Sequence, residues 1–295
     1  MAQSARRSSG FARFWRIFIF VVILGCMAWS IWDANRDKLA PKGECTIHFI
    51  DVGQGDAALI VTDGGSVLID CGPEDTESKL LEYVKRYTES LDYLILTHPH
   101  EDHIGGADRI LEGIPTERVL LTDAVSTTPT YTRVLDLLEN GTAEVTEAVP
   151  GYTFTLGSTT FTVLSPEPDQ TFEDMNDGSI VLLVEVAGVK ALFTGDAGAA
   201  AEEALLARYT ADELSADILK IGHHGSSSST TSALLQTVRP KYAVISVASD
   251  NEFGHPHGET LNRLAANGVS VYRTDVSGTV TATIKGGKIE WKTEK

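Results

Sequence analysis

Thr97-His98-Pro99-His100-Glu101-Asp102-His103 is the stretch on which the reading of this chain turns. It follows Leu91–Thr97, an apolar run that reads as a strand, and precedes Gly105-Gly106, a pair that lets the backbone turn sharply and start a helix against the loop. Four groups able to bind a metal, three imidazoles and a carboxylate, fall within six positions directly after the strand. Imidazole and carboxylate suit zinc, manganese or iron, and ligands so close on a tight loop can serve two ions. Solvated loop histidines are the bland alternative, and this density argues against it.

Two further apolar runs end in the same kind of group. Leu192-Phe193-Thr194-Gly195-Asp196 presents an aspartate at a strand end, which alone would read as an ordinary turn. Ile218-Leu219-Lys220-Ile221-Gly222-His223-His224-Gly225-Ser226 delivers adjacent histidines, either of which could instead be a core hydrogen-bonder. Upstream, Cys45–Val52, Ala57–Thr62 and Ser66–Asp70 read as strands, with Asp63-Gly64-Gly65 as a hairpin turn. Glu74–Thr88 has helical spacing, with Leu80, Leu81, Val84 and Tyr87 on one side. Later strands are expected at Phe161–Leu164, Ile180–Val186, Ala191–Thr194, Ile218–Gly222, Ala243–Val247, Val269–Thr274 and Val280–Ile284. Helices are expected between them at Tyr131–Leu138, Ala199–Arg208, Thr230–Val238 and Glu259–Ala266. Strand-rich halves with interleaved helices predict an α+β fold, an αββα sandwich of two sheets between helices, in one domain over residues 44–295.

Composition agrees with a globular domain: 42% of the 295 residues are apolar and 22% charged. The net charge of −17 is unevenly spread. Residues 1–37 hold five arginines and two aspartates, a balance of +3, which leaves −20 on the remainder. So acidic a domain lacks the basic face expected of a duplex-DNA binder. Cys26, Cys45 and Cys71 make neither a disulfide framework nor a zinc-knuckle spacing; Cys45 and Cys71 either pair, should their strands lie side by side outside the cell, or are small buried apolar residues, the favoured reading.

The N-terminal segment reads as a membrane anchor. Arg6, Arg7, Arg13 and Arg16 precede a charge-free run from Ile17 to Trp32, flanked by Trp15, Trp29 and Trp32. Residues 1–13 are then a cytoplasmic tail, 14–32 a single transmembrane helix and 33–43 a linker. The positive-inside rule puts the domain outside the cytoplasm, at the cell membrane. A cleaved signal peptide (a secreted protein) and a lipoprotein signal ending at Ile23-Leu24-Gly25-Cys26 are the alternatives. The apolar run continuing through Met27, Ala28 and Trp29 speaks against the lipoprotein.

The order Asp70, His-x-His-x-Asp-His, Thr-Gly-Asp, His-His-Gly-Ser resembles the metallo-β-lactamase superfamily. Asp51-Val52-Gly53-Gln54-Gly55-Asp56, Gly254-His255-Pro256-His257 and Tyr272-Arg273-Thr274-Asp275 with Gly278 more narrowly resemble the metallo-β-lactamase-like domain of the competence protein ComEC. The resemblance covers nearly all of residues 45–285. It implies two divalent metals, Zn2+ or Mn2+, with His98 and His100 on the first and Asp102 and His103 on the second. Asp196 would bridge them and one of His223 and His224 complete the second, His224 being the favoured ligand and His223 a substrate contact. Asp70 and Asp56 would orient these ligands from behind. One departure stands out. The wider superfamily supplies a third histidine to the first metal, yet no histidine occurs here between His103 and His223. Met175-Asn176-Asp177-Gly178-Ser179 is the segment the ComEC-like group offers instead, and Asn176 or Asp177 either approaches the first metal or serves as a turn residue.

A carboxylate-bridged pair of divalent ions lowers the pKa of a shared water enough to make hydroxide at neutral pH. Two such ions outweigh Asp102, Asp196 and one hydroxide, so the centre stays positive and suits an anionic ester. Asp102, Lys220, His223 and His255 are the expected catalytic groups, steadying phosphate oxygens or protonating the leaving group. Asn176, Ser179, Ser226 and His257 are expected to touch substrate. Lys220 reads alternatively as a surface lysine, and the Ser226–Ser229 run as a flexible loop. The functional expectation is an extracytoplasmic two-metal phosphodiesterase or nuclease, acting on single-stranded DNA or a small ester before duplex DNA. A phosphorylcholine or teichoic-acid esterase, a lactamase, and a metal-bearing binding module without turnover stand beside it. No protein partner can be inferred.

Overall fold

The computed structural model describes residues 39–168 and 173–295. The expected tail and anchor lie outside the described residues, and no helix among the described residues is long and apolar enough to cross a membrane. Strand β1 (Glu44–Phe49) lies at the heart of the first sheet. Its alternation sends Cys45, Ile47 and Phe49 into the central core and turns His48 toward helix α1 (Glu77–Tyr87), where it meets Tyr83 and Tyr87. From β1 the chain adds β2 (Ala58–Thr62), β3 (Ser66–Ile69), β4 (Leu91–Ile95), β5 (Thr116–Leu121) and β6 (Glu144–Glu147) side by side.

The second sheet is built from β7 (Thr153–Leu156), β8 (Thr159–Ser165), β9 (Val181–Val186), β10 (Val189–Phe193), β11 (Ile218–Lys220), β12 (Tyr242–Ile245) and β13 (Ser270–Arg273). The chain then returns as β14 (Val280–Lys285) and β15 (Lys288–Thr293), so that the first sheet reads β15-β14-β1-β2-β3-β4-β5-β6. Each sheet is antiparallel over one part and parallel over the other, β3 to β6 in the first and β10 to β13 in the second. The sheets pack face to face through Ile47, Phe49, Phe161 and Phe193, and the Phe49 and Phe193 rings stack at 5.8 Å.

Helices cover both outer faces. Over the first sheet lie α1, α2 (Glu101–Ile104), α3 (Ala107–Gly113) and α4 (Pro129–Asn140), sealing a core around Leu80, Leu94 and Ile110. Over the second lie α5 (Ala199–Arg208), α6 (Ala211–Leu214), α7 (Ser232–Val238) and α8 (Gly258–Ala266), sealing one around Leu205, Leu219, Leu235 and Leu264. One more turn, α9 (Thr274–Ser277), comes after β13. Each large apolar side chain so buried contributes about 1.5–3 kcal/mol. This is the αββα sandwich in one compact unit from Ala40 to Lys295. Cys45 and Cys71 are both buried and free.

Four strands escape the sequence pattern. β5, β6, β7 and β15 carry charged or hydroxylated residues on exposed positions, so their alternation is diluted below that of the apolar central strands. The expected strand Val269–Thr274 ends at Arg273, where Thr274 opens α9. The role expected of Gly105-Gly106 also changes. Neither has a positive φ (−55° and −95°). They are needed for closeness: a Cβ at Gly105 would lie 2.4 Å from the Glu74 amide nitrogen, and one at Gly106 would lie 2.6 Å from the Cys71 carbonyl.

Candidate metal centre

Parallel neighbours deliver the site. β3 and β4 run side by side, so Asp70 and the histidine loop leave the same edge of the first sheet. β10 and β11 do the same in the second, bringing Asp196 beside His223 and His224. The loop Asp51–Asp56 braces the histidine loop from behind. The Asp56 N–H donates to the Asp102 carbonyl at 3.1 Å, and at Gly55 a Cβ would stand 2.3 Å from that same oxygen. Only glycine allows that approach.

Asp70 organises the loop. Its Oδ1 accepts from the Thr97 N–H at 2.8 Å, and its Oδ2 accepts from the Thr97 hydroxyl and from His103 Nδ1, each at 2.7 Å. With the proton held on Nδ1, His103 presents a bare Nε2 to the site. His224 is pinned in the same way by a backbone carbonyl: Nδ1 donates to Ser246 O at 3.0 Å, and Nε2 lies 3.1 Å from Asp102 Oδ2 and 3.5 Å from Asp196 Oδ2. His98 has the Thr97 and Ser179 hydroxyls at its Nδ1, at 3.2 and 3.3 Å, and turns Nε2 toward His100 Nδ1 at 3.0 Å and Asp196 Oδ2 at 4.0 Å.

Asp102, His103, Asp196 and His224 thus converge, each offering one ligand atom within 4.8 Å of the others. His103 Nε2 and Asp196 Oδ1 are 3.2 Å apart and buried, yet neither makes a hydrogen bond. Buried polar atoms are paired as a rule, and two that face one point without bonding each other suit a shared cation. Burial pushes the Asp196 carboxyl up, but the His103 and His224 rings outweigh it and hold it well below the usual carboxylate range. Burial likewise pushes His103 and His224 down, and the surrounding carboxylates reverse this, holding His103 well above its ordinary value and His224 at about 10. These shifts register the negative potential that a divalent cation would meet. His98 is held neutral by burial and by the neighbouring His103.

Residues 50–249 match the metallo-β-lactamase superfamily. The chain belongs to that superfamily. Among curated relatives, ComE operon protein 3 of Bacillus subtilis is 32% identical, covering 90% of this chain and 38% of its own length. Recombination protein 2 of Haemophilus influenzae is 32% identical, covering 92% and 32%, and competence protein ComA of Neisseria gonorrhoeae is 29% identical, covering 86% and 35%. The chain therefore spans roughly a third of the length of these relatives. Solved structures share its fold. YhfI of Bacillus subtilis matches with a TM-score of 0.52 at 15% identity over 84% of this chain and 100% of its own. Igni18, a metallo hydrolase of Ignicoccus hospitalis, matches with 0.52 at 18% identity over 80% and 98%.

The chain has the metal-dependent hydrolase fold of that superfamily, and its residues fit the metal role. His224, 1% exposed, is the one of the pair that joins the cluster able to hold an ion, while the His223 side chain is 27% exposed at the rim with Nε2 3.9 Å from Asp196 Oδ2. Both sit in the left-handed region (φ 49° and 52°), as does Asp70 (φ 58°). Such strain, about 1–3 kcal/mol per residue, concentrates where side chains must be aimed for function. Asp177 is spoken for, since its Oδ1 accepts from the Gly198 N–H at 2.8 Å and caps α5. Asn176 is not: its Oδ1 is buried without a partner, beside the Ser179 that contacts His98.

Four expected substrate contacts are placed elsewhere by the structure. Lys220, read as catalytic or as a surface lysine, is 3% exposed and bound to Asp56 Oδ2 at 2.7 Å. Its ammonium is consumed inside the protein. Ser179 is fully buried, donates to Asn176 O and accepts from the Asp196 N–H, so it positions ligands rather than substrate. His257 uses both ring nitrogens, accepting from the Ser227 N–H and donating to Phe253 O. Ser226 is buried with its hydroxyl on Ser228, and the serine run is ordered rather than loose. His255 remains at the rim, half-buried, its ring 5.5 Å from that of His223. Thr97 and the Ser246 carbonyl were missed. A threonine before a histidine loop is a usable signal, but a backbone carbonyl has none.

Proposed function

We propose that this chain hydrolyses phosphodiesters with two bound divalent ions, preferring single-stranded DNA or a small ester to duplex DNA. The observation that carries the reading is the convergence of Asp102, His103, Asp196 and His224 on one point, where His103 Nε2 and Asp196 Oδ1 are buried without a hydrogen bond. His98, His100 and Asn176 would hold one ion, Asp102, His103 and His224 the other, with Asp196 shared. Two divalent ions there supply Lewis acidity and a net positive charge that favours an anionic ester over a neutral lactam. His223, at the solvent side, is the residue placed to act on the leaving oxygen, whereas burial and the neighbouring His223 ring push the His255 pKa down to about 4 and leave it a neutral ring. The charge of −20 on residues 38–295 opposes a long, rigid polyanion, whose binding normally needs many lysine and arginine contacts. Relatives named for competence and recombination point toward DNA.

The test compares an activated phosphodiester, single-stranded DNA, duplex DNA and a chromogenic lactam, with manganese or zinc supplied and His100→Ala as the control for contaminating nuclease. Phosphodiester turnover lost in the variant is expected. Lactam turnover alone rejects the substrate class, and metal binding without any turnover supports a binding module. We also propose that residues 14–32 anchor the domain outside the cytoplasm. Protease added to intact protoplasts then removes the domain, and full protection overturns this.

A further inference from the structure

The loop between β12 and α8 carries a ring that neither the metal centre nor the core explains. Phe253 is 62% exposed. One face of it packs on His255, centroids 5.6 Å apart and 24° from parallel, and His255 in turn lies 5.5 Å from His223 and 6.4 Å from His224. The rings form a path from solvent to the imidazole that faces Asp102 and Asp196. The loop is held stiffly. Asn251 donates to the carbonyls of Ala248 and His255 and accepts from the His255 N–H, and His257 donates to the Phe253 carbonyl while accepting from the Ser227 N–H. A rigid loop that keeps a bare aromatic ring in water beside a phosphate-binding centre forgoes the burial such a ring ordinarily finds.

We infer that Phe253 is a stacking platform for an unpaired nucleobase close to the scissile phosphate. This rests on the phosphodiester reading above and names the group that holds the strand. Two cations on the segment that carries His223 and His224 or bonded to it are already engaged: Lys220 with Asp56, and Arg263 with the carbonyls of Thr230, Ser229 and Ser227. Stacking on a neutral ring serves an acidic domain because it uses the π-face that every base has, without needing a basic groove. The separations of 5.6 and 6.4 Å put Phe253 within about 12 Å of His224, roughly three or four stacked nucleotides at ~3.4 Å each. Duplex bases are already stacked on one another and leave no free face, so the platform selects single strands.

Detergent-solubilised full-length protein tests this with two oligothymidylates, one intact and one with tetrahydrofuran abasic analogues around the cleaved link. Both have the same backbone charge. Phe253→Ala is expected to lower kcat/KM about tenfold on the intact strand, chiefly through KM, and to leave the abasic strand unchanged. Phe253→Trp retains the wild-type preference. A 2-aminopurine placed at the same position reports stacking by fluorescence quenching without turnover, and the quenching is lost in Phe253→Ala. Equal effects of Phe253→Ala on both strands, or unchanged quenching, overturn the platform while leaving the phosphodiesterase reading intact. Wild-type protein that hydrolyses only the lactam overturns both.

Discussion

Lys220 Nζ and Asp56 Oδ2 meet at 2.7 Å between the two halves of the sandwich, the lysine on β11 of the second sheet and the aspartate just before β2 of the first. Both are buried, and burial, which pushes the Asp56 carboxyl up, is overcome by the Lys220 ammonium and the His224 ring, which hold it well below its ordinary value. Removing one partner strands the other charge. Asp56→Ala is therefore expected to cost about 3–5 kcal/mol in urea unfolding. Adding Lys220→Met should restore much of that loss. Equal destabilisation by the single and double changes would show that the pair itself, and not a stranded charge, sets the cost.

Metal content should track the convergence of ligands. Reconstituted protein is expected to hold close to two divalent ions, and Asp196→Ala to lose occupancy of both because its carboxylate lies toward each set. Asp70→Asn keeps the fold but weakens metal binding about 10–100-fold through a mis-set His103. Elemental analysis after dialysis measures both, and an Asp70→Asn protein with wild-type affinity would remove the aspartate from this role.

Asn176 and Asp177 should separate cleanly. Asp177→Ala removes the cap on α5 and is expected to cost about 1 kcal/mol of stability with metal content unchanged. Asn176→Ala is expected to lower metal occupancy while the unfolding midpoint of the metal-free protein stays in place. The reverse pattern assigns the metal to Asp177.

His48 should make the fold acid-sensitive. Burial lowers its pKa from 6.5 to about 4, and its ring packs between Tyr83, 3.0 Å from Nδ1, and Tyr87. Below pH 6.5 the unfolded chain takes up a proton that the folded one refuses. The neutral ring's contribution is thus complete above pH 6.5 and is lost as pH falls toward 4, roughly 3 kcal/mol in all. His48→Phe should flatten the unfolding free energy between pH 7 and pH 4.5. An unchanged slope would place the sensitivity elsewhere.

Much of this molecule is local in origin. Short apolar runs ending in His, Asp or Gly are enough to specify β4, β10 and β11, and the ligands beyond them arrive at the sheet edges because strand ends are where polar groups can leave the core. So the metal-binding loop, the αββα layering and the superfamily were all legible in residue order. Charged strands such as β5 and β6 were not, because the exposed Glu117, Glu144 and Glu147 dilute the apolar alternation that marks a strand. Which of two adjacent histidines enters the site was decided only by the tertiary structure, since left-handed backbone at both positions sends their rings apart and the Ser246 carbonyl fixes one tautomer. The same holds for Lys220 and Asp177. Whether a charged side chain meets substrate or is spent inside depends on a partner brought close by folding, Asp56 for the one and the amide of Gly198 for the other. Sequence determines which groups are available; packing determines which of their atoms remain free.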